Sequence, residues 1–126
     1  MNGRSWIGLA AVSGFMSVAL GAFGAHALRE RLSPRALEIY QTGVHYQMFH
    51  SLALWAVGLL ILQSSTAAFS ALNAVGGLFI GGILIFSGSL YALAITDIKI
   101  LGAITPIGGL AFLVGWATLA WSAWKG

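Results

Sequence analysis

The chain has 126 residues, 59% of them hydrophobic and 7% charged, with a mean hydropathy of +0.91 and a formal net charge of +3. A soluble domain carries roughly 25% charged residues, so a soluble enzyme is excluded, and the length suits one compact unit. The cations are scattered, which argues against nucleic acid as a partner, and with no cysteine there is no disulfide, thiolate metal site, nucleophilic thiol or thioether-linked haem.

Backbone polar groups in lipid must be bonded within their own segment, so long apolar runs are helices. Crossing a hydrocarbon core of ~30 Å takes about 20 residues. The first run, residues 6–28, carries no charge. Its end, Ala25-His26-Ala27, has the small-x-small shape of a signal-peptidase site, but the run is longer than a signal core and is flanked by Arg4 alone, so it is expected to remain a span. In the connection that follows, Ser33-Pro34 predicts a helix start, with an N-cap before a proline in the first turn. Leu37, Ile39, Tyr40 and Val44 alternate imperfectly with Arg35, Glu38, Gln41 and Thr42, which predicts an interfacial helical elbow. The remaining spans cover residues 46–62, 69–95 and 101–124, joined by residues 63–68 and 96–99. Pro106 predicts a helix start or shallow kink. The expected fold is an all-α integral membrane protein, a single membrane domain over residues 1–126. It is a four-transmembrane-helix bundle with short loops and an interfacial helical elbow between helices 1 and 2.

Four spans put both termini on one side, with Arg4 and Lys125; the other side carries Arg29, Arg31, Arg35 and Lys99. The positive-inside rule then predicts a cytoplasmic Arg29–His45 loop and both termini outside. Small residues at helical spacing predict close helix contacts in lipid. They form three seams: Ala10, Gly14, Ser17, Gly21 and Gly24; then Gly77, Gly81 and Gly88, with Asn73 and Tyr91; then Gly108, Ala111, Gly115, Thr118 and Ser122. Trp6, Trp116, Trp121 and Trp124 read as an interfacial belt on the terminal side. A faint echo between residues 24–28 and 89–93, with Trp55 against Trp121, allows a duplicated hairpin, although apolar sequence produces such matches freely.

Polarity is concentrated between His26 and His50, which holds all three histidines, three of the six cations and two of the three acids. Within span two, Gly43, Gln47, His50, Ser51, Leu54 and Gly58 share a face. His50 is expected one turn below the membrane surface, where an ionisable group faces protein or water. Topology predicts that His26, Gln47, His50, Tyr91 and Asp97 gather at one level of the bundle. Three readings stay open: a hydrogen-bonded polar plug, a site for a lipid or small amphiphile, and a haem or metal site with His26 and His50 as ligands. The last lacks an HExxH-type pair. No paired carboxylates, GxSxG elbow or phosphate loop points to catalysis, and no mid-membrane acid points to a proton path.

Four segments carry a resemblance: Gly21-Ala-Phe-Gly-Ala-His-Ala-Leu28; Tyr46-Gln47 with His50-Ser-Leu-Ala-Leu54; Phe86-Ser-Gly-Ser-Leu-Tyr-Ala-Leu93; and Thr105-Pro-Ile-Gly-Gly-Leu110 running on to Gly115-Trp116. In these the chain resembles domain-of-unknown-function family 423, which includes the animal transmembrane protein 256. The resemblance spans all four segments in order. It implies a compact multi-span protein of the bacterial inner membrane, without an established activity, and it places His26, His50 and Tyr91 in the family's motif segments. The expectation is an uncharacterised, non-enzymatic protein with no cofactor, packed through glycine-rich faces. Its partners would be the lipid bilayer and itself or other membrane proteins. The alternative is a lipid or amphiphile held on the Arg29 side.

Overall fold

A computed structural model describes residues 1–125, and no strand occurs among them. Helix α1 (Gly3–Phe23) continues through a π-helical turn, Gly24–Leu28. Helix α2 (Pro34–Gln63) follows after a short loop. Helix α3 (Thr66–Gly82), a second π-helical turn (Ile83–Ser87) and helix α4 (Gly88–Thr96) form one rod, and α5 (Leu101–Lys125) closes the chain. The four rods, of 26, 30, 31 and 25 residues, are each long and apolar enough to cross a membrane.

Local chemistry sets the ends. Asn2 caps α1 by accepting the Ser5 N–H at 2.9 Å. Ser33 Oγ accepts the Ala36 N–H at 3.1 Å, and Pro34, with no N–H to satisfy, opens α2. The cap lies where the sequence puts it, but no separate elbow follows. α2 runs unbroken for 30 residues, about 45 Å at 1.5 Å per residue. The amphipathic stretch is its first turns, and Tyr40 there is 1% exposed, packed among Leu20 of α1, Gly24 of the π-helical turn and Tyr91 of α4. α4 ends at Asp97, held left-handed at φ 58° with its N–H on the Leu93 carbonyl at 2.9 Å. Aspartate tolerates that region better than most residues. Pro106 lies inside α5 rather than in its first turn.

α1 packs along α2, α5 packs along the third rod, and α2 lies against both π turns and both α3 and α4. Half of the apolar window of α2 is buried, against 22% for α1 and 17% for α5, so the outer rods give most of their surface to lipid. One apolar core gathers Trp6, Leu54, Val57, Val75 and Phe79; a second, nearer the Arg29 loop, gathers Leu28, Tyr40, Val44 and Ala94. Between them lie the buried polar residues Ser13, Gln47, His50 and Ser51.

The closest approaches are made by glycines, and they fall partly off the expected seams. A Cβ on Gly108 would strike the Phe86 backbone, and one on Gly115 would lie 2.7 Å from the Phe79 ring. Gly24 is pressed on Tyr40, Gly21 meets Val44, and Ser17 is fully buried. A Cβ added at Gly14, Gly77, Gly81 or Gly88 would meet no neighbouring element within 4 Å. One residue, about 100° of arc, separates Gly77 from Gly76, which lies on the Trp6 indole. A stripe of small residues marks where a partner can approach, and beside Gly24, Gly108 and Gly115 the close approaches are made by Gly3, Gly43, Gly58, Gly76 and Gly82, which lie off the expected seams. Trp6 is likewise no belt residue: it is 4% exposed, with its N–H on Asn73 Oδ1 at 2.9 Å.

Candidate functional site

Gln47 ties three rods together. Its Nε2 donates to the Ser13 carbonyl at 3.0 Å, and the Tyr91 hydroxyl donates to its Oε1 at 2.6 Å. Ser51, one turn on, reaches both Ser13 Oγ and the Gln47 carbonyl at 2.6 Å. Nearer the loop, Ser87 Oγ donates to the Gly43 carbonyl at 2.7 Å and the Tyr40 hydroxyl to the Leu20 carbonyl at 2.6 Å. No buried side-chain nitrogen or oxygen among the described residues lacks a partner. A satisfied network of this kind locks register and leaves no polar group to recruit a ligand.

His50 belongs to a different cluster. Its Nδ1 lies 2.9 Å from the Tyr46 carbonyl, and the Trp116 indole N–H donates to its Nε2 at 3.0 Å. Both contacts suit one neutral tautomer, with Nδ1 carrying the proton. The ring stacks on Phe112 with centroids 3.6 Å apart. With the Nε2 lone pair taken by Trp116, this nitrogen is not free to bind iron or zinc. Among the described residues no three His, Cys, Asp or Glu side chains converge on one point.

Beside His50, between α2 and α5, runs a groove of about 710 Å³. Tyr46, Phe49, Phe86, Phe112 and Trp116 form its aromatic walls, Gly109, Leu110 and Leu113 its α5 side, and His45 and Pro106 line it toward the Arg29 side. The rings are arranged tilted and stacked, as in Tyr46 on Phe86 at 4.5 Å, leaving π faces and edges to the opening. The Tyr46 side chain is 44% exposed, and its hydroxyl makes no hydrogen bond among the described residues.

The predicted five-residue gathering therefore divides. Gln47 and Tyr91 meet; His50 sits with α5; His26 and Asp97 are exposed and apart. Asp97 instead pairs with Lys99 at 2.9 Å. The reason is length: α2 begins at Pro34, so His50 lies about 24 Å along it, near the middle of the helix. His26 ends its own rod, and Asp97 lies in the turn outside α4. Ser13 and the α5 residues Gly109, Phe112 and Trp116 were not legible as site residues. The signal for Ser13 was the pair Ser13/Ser17, two hydroxyls four apart in an otherwise apolar run.

Similarity to known proteins agrees with this architecture. The profile of the family described as "Protein of unknown function (DUF423)" matches residues 20–109. The chain is 47% identical over 122 residues to a UPF0382 membrane protein of Staphylococcus saprophyticus, covering 97% of this chain and 98% of that one. A UPF0382 membrane protein of Bacillus subtilis is 42% identical over 97% of this chain and 98% of its own. One of Haemophilus influenzae is 46% identical over 97% and 95% respectively. No solved structure matches. A profile match across most of the chain, with relatives this similar over nearly their full length, leads to one conclusion: the chain is an integral membrane protein and belongs to the DUF423 family of proteins of unknown function.

Proposed function

We propose that this is a non-catalytic protein of the bacterial cytoplasmic (inner) membrane that holds a lipid or small amphiphile in the groove between α2 and α5. The observation that carries the reading is the groove itself. At about 710 Å³ it lies within the range of small-molecule sites, and like them it joins aromatic walls to a few polar groups. Its exposed apolar lining, Phe49, Leu110 and Leu113, lies on helices long enough to cross a membrane, which supports entry of an apolar ligand from the bilayer. The polar end at Tyr46 and His45 suits a headgroup, and the Phe112–Trp116 end suits a ring or chain. Relative to the sequence-based alternative, the site moves from the Gln47–Tyr91 cluster, whose groups are satisfied, to the neighbouring face of α2.

Filling the groove tests it. Gly109 lines the groove, and a Cβ added there would be in ordinary contact with the Phe86 ring at 3.7 Å, so Gly109→Leu adds bulk to the cavity without striking backbone. Solvent extracts of the purified wild type and Gly109→Leu are compared by mass spectrometry. We expect one amphiphile enriched with the wild type and at least tenfold depleted in the variant; equal recovery rejects the groove as its site.

A second reading, association with itself, is favoured by the outward Gly77, Gly81 and Gly88. These glycines weaken helix formation relative to alanine and serve no contact within the chain, whereas outward GxxxG pairs are used between chains in lipid. The cysteine-free sequence makes Ala74→Cys a clean cross-linking probe. A disulfide-linked dimer lost on adding Gly81→Leu supports this reading, and an unchanged monomer band removes it.

A further inference from the structure

A second cavity, about 400 Å³, opens where the first turns of α2 face the end of α4. It is distinct from the groove in place and in chemistry. Its floor is apolar, made by Ile39 and Leu93, and its rim is polar, made by Ser33, Arg35, Asp97 and Lys99. The membrane spans end at this level, so the cleft opens at the lipid–water boundary. Arg35 has no carboxylate partner among the described residues. Lys99 holds Asp97 at 2.9 Å, but both side chains are about four-fifths exposed, and such a pair is weak. Ser33 Oγ accepts the Ala36 N–H, which leaves its own proton to donate.

We propose that this cleft seats the headgroup of one acidic phospholipid. Arg35 and Lys99 reach the phosphate, the Ser33 hydroxyl donates to it, and the glycerol and first methylenes rest on Ile39 and Leu93. Two cations against the single Asp97 carboxylate leave one positive charge in excess, which matches a lipid carrying one net negative charge. A choline headgroup would bring its own ammonium against Arg35. The apolar floor distinguishes a lipid from a free phosphate ester, which has nothing to place there.

The test is native mass spectrometry of the full chain in detergent, titrated with phosphatidylglycerol or phosphatidylcholine. One phosphatidylglycerol is expected to be retained at concentrations where phosphatidylcholine is not. Arg35→Gln and Lys99→Gln should each weaken retention about fivefold, which corresponds to ~1 kcal/mol per cation near an anionic headgroup. Asp97→Asn should strengthen it, since the competing carboxylate is gone and asparagine also tolerates the left-handed backbone. Arg31→Gln, outside the cleft, should leave it unchanged. A gain of affinity in Asp97→Asn is not an effect that misfolding produces, and circular dichroism of the glutamine variants separates loss of fold from loss of binding. Equal retention of phosphatidylcholine, an equal loss in Arg31→Gln, or displacement by equimolar glycerol 3-phosphate would each overturn the proposal.

Discussion

Gln47 commits both ends of its amide to other helices, the Nε2 to Ser13 on α1 and the Oε1 to Tyr91 on α4. Hydrogen bonds between membrane helices are worth about 0.6 kcal/mol on average and up to about 1.7. Removing one partner of a buried pair costs more, because the other is left unsatisfied. Gln47→Leu is therefore expected to lower stability by about 1–2 kcal/mol, and Tyr91→Phe by about 1 kcal/mol. The double variant should lose less than their sum, with a coupling of roughly 0.5–1.5 kcal/mol, read by unfolding in mixed detergent micelles. Strict additivity would show that the 2.6 Å contact carries no energy. Residue types told which side chains were costly to bury, and Gln47, His50 and Tyr91 could be picked out for that reason. They did not tell which partners would satisfy them. Ser13, a small hydroxyl on a featureless face, carries no mark in sequence of the amide that reaches it from α2, and Trp116 reads as an interfacial anchor until α5 is placed beside His50.

At the scale of the element, four apolar runs were legible because lipid admits no other backbone solution, and Ser33-Pro34 marked the start of α2 by its hydrogen-bond chemistry. Phase was not legible. Both faces of a membrane helix are apolar, so the contrast that orients a helix in water is missing, and a row of small residues fits either a packed face or an open one. The glycines provide the check. Gly108→Ala puts a methyl into the Phe86 backbone, and at Gly58 an added Cβ would lie 2.8 Å from the Gly3 carbonyl. Neither obstacle is the end of a flexible side chain, so each substitution should cost about 1–3 kcal/mol, the usual cost of overpacking. Gly77→Ala and Gly88→Ala, with open space around them, should change the thermal midpoint of the monomer little. If the two pairs behaved alike, the assignment of packed and lipid-facing sides of α3 and α4 would be wrong.

For the whole molecule, α2 joins two halves that share few other surfaces: α1 packs on it from one side and the third rod, with α5, from the other. The polar layer at mid-bundle and the groove both lie along α2, so the helix that holds the fold together also presents the candidate site. Orientation follows from a different part of the chain. Arg29, Arg31, Arg35 and Lys99 lie at one end of the rods, Arg4 and Lys125 at the other, and loop cations are held on the cytoplasmic side. Because α2 starts at Pro34, the loop before it spans only residues 29–33, and its two arginines lie close to the span ends, where such charge counts most. Three of the four loop-side cations precede or begin α2, so the positive-inside rule predicts that the first hairpin sets the insertion. A cytoplasmic loop, as the rule predicts, requires that a reporter active only outside the cytoplasm be active when fused after Lys125, and that one active only inside be silent there. Replacing Arg29, Arg31 and Lys99 with glutamine leaves one loop-side cation against two, and this variant should show a mixed or reversed pattern. A C-terminal reporter active only in the cytoplasm in the unaltered protein would invert the assignment. It would also move the Arg35–Lys99 cleft to the outer leaflet, where the supply of acidic headgroups differs.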